Sequence, residues 1–184
     1  MSLKLVHLAA EIECSDEFHV ARLILLLKAA AGRSDKPIKG IMKLAKMDFL
    51  LRYPNCLARV LKAIGKEAKA QEIPTEELNT IEARMIRFRY GPWDKRYRRW
   101  IGLLVAKRLA HTYLEGRTVN VKLTDAGIDV AAQLFKLAEF RPIANRSQIV
   151  VSAVGSYSAT RLRDFIYDVF PEIVDMQWGR HIEL

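Results

Sequence analysis

Apolar residues run almost unbroken from Val20 to Ala31, interrupted only by Arg22 and Lys28. A stretch that is apolar nearly all round predicts a helix with little water on any side, and so a central one. Ser15, Asp16 and Glu17 start it, a capping side chain followed by acids that suit the positive end of a helix. Gly32 closes it. Beyond Pro37 the pattern becomes amphipathic. Ile38, Ile41, Met42, Ala45, Phe49 and Leu50 predict the packing face of a second helix over about 38–52, with Lys39, Lys43 and Lys46 on another side. Asp48 and Arg52, four apart, read as a pair worth roughly a few tenths of a kcal/mol. Tyr53-Pro54 stops this helix, because proline lacks an N–H and restricts the residue before it. NCLARVLKAIG (55–65) predicts a third helix, and helix, tight break, helix is consistent with the first half of a winged module. Residues 66–74 are polar and lead into a further helix from Thr75 to about Met85. Residues 3–14 fit an extended arm or a helix.

The most informative pattern lies between Arg87 and Leu137. Gly91-Pro92 breaks the chain, and Asp94 is placed to cap a helix over about 95–111. At 100° per residue, Tyr97, Trp100, Ile101, Leu104 and Val105 fall on one arc. Lys95, Arg99, Gly102 and Ala106 fall opposite, flanked by Arg96 and Arg98. Glu115-Gly116 separates TYL from TVNVKL, two β-branched or aromatic runs, which signals a hairpin. Thr124-Asp125 opens another helix, whose Ile128, Ala131, Ala132, Phe135 and Leu137 or Ala138 recur at helical spacing. Helix, two-stranded wing, helix is the second half of a winged helix-turn-helix.

Arg141-Pro142 ends that helix. Ser147 to Val154 is apolar and stops at Gly155. Ser158 caps a last helix with Leu162, Phe165, Ile166 and Val169 in one stripe, ended by Pro171. The tail, with Trp178, is expected to pack back on the body or hold a partner chain. The expectation is therefore a mainly α fold with a small β-hairpin, a winged helix-turn-helix core plus flanking helices. It divides into an N-terminal arm and buried helix (1–37), a winged-helix core (38–140) and a C-terminal helical segment (141–184).

Charge adds a location. The chain carries a net +9 with pI near 9.7. Residues 87–108 hold eight Lys/Arg and one acid, net +7. Positive charge gathered on one helix favours an anionic macromolecule, nucleic acid first, over a merely solvated face. Lys95, Arg96, Arg98, Arg99 and Lys107 on the helix and Arg117 on the wing are the candidate DNA contacts. Trp93, Tyr97 and Trp100 interleave with these arginines. Trp100 is expected in the core, and Trp93 is left between core and base stacking.

Catalytic chemistry finds no such support. His7, His19, His111 and His181 stand apart from one another and from Cys14 and Cys56 at any ligand spacing. No GxxxxGK[ST] or GxGxxG cradle for phosphates is present, nor a GxSxG elbow. Asp48, Asp125, Asp129, Asp164 and Asp168 read as capping or solvated, and His111 as closing a helix dipole. No catalytic residue, metal or cofactor is expected. Two cysteines are too few for a disulfide scaffold and read as reduced, buried thiols. No leader pattern is evident, and the longest apolar run, Leu23–Leu27, falls far short of the about 20 residues that a membrane crossing needs. A cytoplasmic, prokaryotic-type protein with no membrane partner is expected.

KLAKMDFLLRYP (43–54), RYGPWDKRYRRW (89–100) and LTDAGIDVAAQL (123–134) resemble the middle component of bacterial ABC-three-component systems, which include the accessory subunit of Lamassu-type anti-phage defence. The similarity spans about residues 38–140. It implies a non-enzymatic subunit that bridges an SMC/Rad50-like ATPase and a nuclease-like effector and contributes to binding double-stranded DNA. A stand-alone winged-helix transcription regulator is the alternative that the basic helix allows by itself.

Overall fold

The computed structural model describes residues 15–78, 85–89 and 91–182. The protein is mainly helical, with two small antiparallel sheets. Its first described helix, α1 (Asp16–Ala31), begins where Ser15 Oγ accepts the N–H of Phe18 and ends at Gly32, φ +57°. Leu23 and Leu26 have no exposed surface, and even His19 and Arg22 are buried. This is the central helix that the apolar run predicts. Residues 3–14, with Cys14 and His7, lie outside the described residues.

The segment after Pro37 departs from its pattern. Ile38–Lys39 is a short strand, β1, not the first turn of a helix. It pairs with a later strand, Ile38 opposite Val121 and Lys39 opposite Asn120. Gly40 then turns the chain at φ +97°, a value that glycine adopts freely. Helix α2 (Ile41–Arg52) follows, and every residue from Leu44 to Arg52 is buried. Lys46 therefore does not sit on a solvated side. Pro54 occupies the first turn of α3 (Pro54–Ala63), where its missing N–H costs nothing. After α4 (Glu67–Ala70), Pro74 to Leu78 form hydrogen-bonded turns. Most of the helix predicted from Thr75 falls on residues 79–84, outside the described residues, and Met85 lies in no helix.

A hairpin absent from the pattern follows, β2 (Ile86–Phe88) with β3 (Gly91–Trp93). Helix α5 runs only from Tyr97 to Ala106. It stops short of His111 because the chain closes into a six-residue loop there. Leu109 N–H donates to Leu104 O and Arg108 N–H to Val105 O, with Arg108 at φ +56°. That is the Schellman arrangement, with an arginine where glycine is usual. Residues 110–115 are instead β4 (Ala110–Glu115), so His111 lies on a strand and closes no helix. Gly116, φ +60°, turns β4 into β5 (Thr118–Leu123). The sheet order is β1-β5-β4, antiparallel throughout.

Thr124 Oγ1 accepts from Gly127 N and starts α6 (Asp125–Lys136). The helix buries Gly127 and Ala131, with Ile128 and Leu134 half-covered, whereas Phe135 and Leu137 are about half exposed and Ala132 faces water. The phase is set at Gly127. A Cβ there would lie 1.9 Å from Leu109 O, so only glycine lets the helix start against the end of α5. After a short 3-10 turn (Ala138–Phe140), Pro142 opens rather than ends a helix, α7 (Arg141–Val154). Ser158 caps α8 (Ala159–Val169), which buries Leu162 and Ile166, and Pro171 begins α9 (Pro171–Asp175).

One apolar cluster joins α1, α2, α3, α5, the larger sheet, α7 and α8. The tail packs on this body. Ile182 N–H donates to Met85 O, and Tyr53 Oη accepts from Met85 N and donates to Ile182 O. Trp178, by contrast, is 66% exposed.

Gly127→Ala should destabilise the fold by about 1–3 kcal/mol, the usual cost of forcing a methyl into filled space. Gly102→Ala, with nothing within 4 Å of its Cβ, should stabilise by about 0.5–1 kcal/mol through helix propensity. Urea unfolding of both variants checks the pair, and a neutral Gly127→Ala would contradict the close approach at Leu109.

Candidate nucleic-acid interface

The basic helix α5 is held by ionised groups in the interior. Arg22 on α1 donates from Nε to Asp48 Oδ1 at 2.8 Å and from Nη2 to Oδ2 at 3.2 Å, and its Nη1 lies 2.6 Å from His19 Nδ1. Arg52, one turn beyond Asp48 on α2, donates from Nε to Asp48 Oδ2 at 2.9 Å and from Nη1 to Asp94 Oδ2 at 2.9 Å. Tyr97, the first residue of α5, donates its hydroxyl to the same Asp48. Arg22, Asp48, Arg52 and Tyr97 are all fully buried. The Asp48–Arg52 pair is therefore no surface contact, and Asp48 is neither solvated nor a cap.

Trp100 stands inside this frame and is itself buried. Arg22, Arg52 and Arg96 lie 5.7, 5.2 and 4.8 Å from its ring centroid. His19 packs against the indole, and Trp100 Nε1 donates to Asp16 Oδ1 at 2.9 Å. Trp93 is half-buried and packs on Tyr97 and Phe88. Asp94 accepts from Arg96 at both backbone and side chain, so it orders the entry to α5 although the helix begins later.

Electrostatics follow from this pairing. Burial pushes the Asp48 carboxyl up, but the Arg22 and Arg52 guanidiniums and the Tyr97 hydroxyl outweigh it and hold the group well below the ordinary carboxylate range. Burial likewise raises Asp94, yet Arg96 and Arg52 bring it down to about 2. Tyr97 is pushed well above its usual value by burial and by the Asp48 charge. Elsewhere, burial lifts the Cys56 thiol to about 12, an inert thiol at neutral pH.

The outer side of α5 is different. Lys95, Arg98, Arg99, Gly102, Ala106, Lys107 and Arg108 are exposed, and Val105, expected on the packing arc, is 40% exposed. Of the six candidate contacts, Lys95, Arg98 and Lys107 lie on this side and Arg117 lies at the turn of the β4–β5 hairpin. Arg99 is exposed too but leans on Asp16 at the start of α1. Arg96 is turned to Asp94. Strand β4 is open on both faces after Ala110, and Leu114 at 71% exposure is its most open apolar residue. Arg108 belongs with this group, although its place in the sequence gives no sign of it. Only its backbone, left-handed at a position that LAHTYL does not betray, marks it out.

Among the described residues, no three His, Cys, Asp or Glu side chains converge on a metal site, and no helix is long and apolar enough to cross a membrane. Comparison with family models, curated proteins and solved structures gives no match to this chain.

Because both aspartates sit below their unfolded value, the stability they contribute is whole above about pH 4. It is lost as pH falls through the folded values, of which Asp94's is about 2. The melting temperature should therefore hold above pH 5 and drop steeply from pH 4 to 2. Asp48→Asn should cost about 3–5 kcal/mol at pH 7, since it strands buried guanidinium charge, and should flatten that acid drop. Thermal melts of both proteins across pH 2–7 check this, and an unchanged acid limb in Asp48→Asn would contradict it.

Proposed function

We propose that this chain is a non-enzymatic winged-helix subunit that binds double-stranded DNA through α5 and the β4–β5 hairpin while docking on a protein partner. In this reading α1, β1, α2, α5, β4 and β5 form the winged unit. Their order, helix–strand–helix–helix–strand–strand, and the sheet order β1-β5-β4 support it. Residues 53–96 are then an insertion between the second and third helices of the unit.

The observation that carries the DNA-binding reading is cationic charge kept on α5 against local preference. Its first turn has no acid, and while Asp94 and Asp16 answer Arg96 and Arg99, Lys95 and Arg98 add further charge at the end where the helix dipole is positive. Its last turn leads into Arg108 at φ +56°, where a side chain costs about 1 kcal/mol or more. A polyanion laid against α5 would relieve the first and use the second. The apolar residues beside these cations, Val105, Tyr113 and Leu114, and the exposed Phe135 and Leu137 on α6, favour a subunit in an assembly over a stand-alone regulator. The nature of that assembly, an SMC/Rad50-like ATPase with a nuclease-like effector in anti-phage defence, rests on the resemblance of the three strings alone.

In fluorescence anisotropy with a duplex of about 25 base pairs, changing Lys95, Arg98, Lys107 and Arg108 to Gln should weaken binding. It should also reduce the slope of log K against log salt by about 0.9 for each phosphate that the protein no longer neutralises. An unchanged slope would move this surface to a protein partner. Arg108→Gly alone should weaken DNA binding yet stabilise the fold by about 0.5–1 kcal/mol. A destabilised Arg108→Gly would remove the argument from backbone strain. Tight, sequence-selective binding by the isolated chain would favour the regulator reading instead.

A further inference from the structure

Three lysines meet in a cavity that no residue of α5 lines. The space, about 740 Å³, lies between β1, the start of α2, the turn of the β4–β5 hairpin and the link from α7 to α8. Lys36, Lys39 and Lys43 line it, and among the described residues Glu115 is the one carboxylate that does. Two contacts fix where the ammonium groups stand. Lys43 Nζ donates to Gly155 O at 2.7 Å, and Gly155 is itself part of the wall. Lys39 Nζ lies 3.1 Å from Glu115 Oε2, and both side chains are more than half exposed, which sets this pair at the mouth. Pro37, Ile38 and Val151 supply apolar surface.

The charges around this space do not balance. Lys39 and Glu115 cancel, whereas among the described residues Lys36 and Lys43 are paired with no carboxylate. The Lys43 ammonium has three N–H donors, and its acceptor here is a neutral carbonyl. Lys43 is half-buried, and burial draws its ammonium below the ordinary value. An anion alongside would offset that cost. A volume of this size is typical of sites for small organic molecules, which combine apolar walls with a few placed polar groups. Two uncancelled positive charges match a phosphate monoester, which carries about −1.5 to −2 at neutral pH, better than a single carboxylate. Ser158 and Ala159, which open α8, also lie in the wall, and the positive end of that helix adds to the lysines.

We propose that this cavity binds a small organic phosphate, with its phosphoryl group on Lys43 and Lys36 and its carbon body against Pro37, Ile38 and Val151. The ligand neutralises the two unpaired lysines and ties the turn end of the β4–β5 hairpin to α2 and α8. The proposal is independent of the DNA-binding reading, because none of the six candidate DNA contacts lines the cavity.

The test is thermal unfolding of the full chain at pH 7 and fixed ionic strength with two probes, phenyl phosphate and adenosine 5′-monophosphate. At about 10 mM, tenfold above a Kd of about 1 mM, the better probe should raise the melting temperature by about 3–5 °C. Phenol, adenosine and inorganic phosphate, each one half of a probe, should do much less. The better probe reports which body the apolar surface prefers. Lys43→Met keeps the stem and loses the ammonium, so it should weaken that probe about tenfold. Should Lys43→Met fail to fold, Lys36→Gln, at an exposed position, should weaken it about threefold. Lys62→Gln, on α3 and outside the cavity, should bind as the wild type does. A melting temperature that neither probe raises above its value in inorganic phosphate overturns the proposal, as does unchanged affinity in either Lys43→Met or Lys36→Gln.

Discussion

The buried run Arg22–Asp48–Arg52–Asp94 is the constraint on which the rest of the structure depends. Taking an ion out of water costs several kcal/mol even after relaxation, and the cost is offset only when each charge meets a partner in good geometry. Apolar side chains in the same places could pack as densely, but they would accept several relative positions of the helices. These four charges accept few, because a small shift strands a guanidinium or a carboxylate. They belong to α1, α2 and the entry to α5, three parts of the chain that are far apart in sequence. Tyr97 and Trp100 bring α5 itself into the arrangement.

The direction that α5 faces follows from this. With Tyr97, Trp100, Ile101 and Leu104 turned inward, its remaining side must look out. That side holds small residues and cations, and Asp16 and Asp94 draw only Arg99 and Arg96 back toward the body. The arginines of this chain thus have two roles. Arg22 and Arg52 are neutralised inside and set geometry. Arg98 and Arg108 are exposed, and in the proposed reading they meet DNA. Two of the three strings that resemble an ABC-three-component subunit, 43–54 and 89–100, contain Asp48, Arg52, Asp94, Tyr97 and Trp100. The likeness therefore falls mainly on residues that hold the scaffold.

Much of the architecture was legible because its signals are local. Ser15, Thr124 and Ser158 act as caps where their spacing places them, and Gly116 turns the hairpin. The all-round apolar run gives the central helix. What was missed depends on contacts distant in sequence. Ile38–Lys39 is a strand only because Val121 and Asn120 lie beside it. Lys46 reads by period as part of a lysine side, and Asp48 and Arg52 as a weak pair, yet a helix buried on all sides from Leu44 to Arg52 leaves them no water. The phase of α6 is set by one glycine against Leu109 O, which no periodicity reports. Of the candidate contacts, Lys95, Arg98, Lys107 and Arg117 were visible as exposed charge. Arg108 was not separable from its neighbours, because its distinction lies in a backbone angle.

The most direct measurement is a double-mutant cycle between Arg52 and Asp94, using Arg52→Met and Asp94→Leu singly and together in urea unfolding at pH 7. If buried charge pairing seats α5, the two changes should couple by about 1–3 kcal/mol, the double variant being far less destabilised than the sum of the singles. A coupling below about 0.5 kcal/mol would mean that apolar packing alone positions the helix, and charge pairing could no longer explain why its cationic side faces outward.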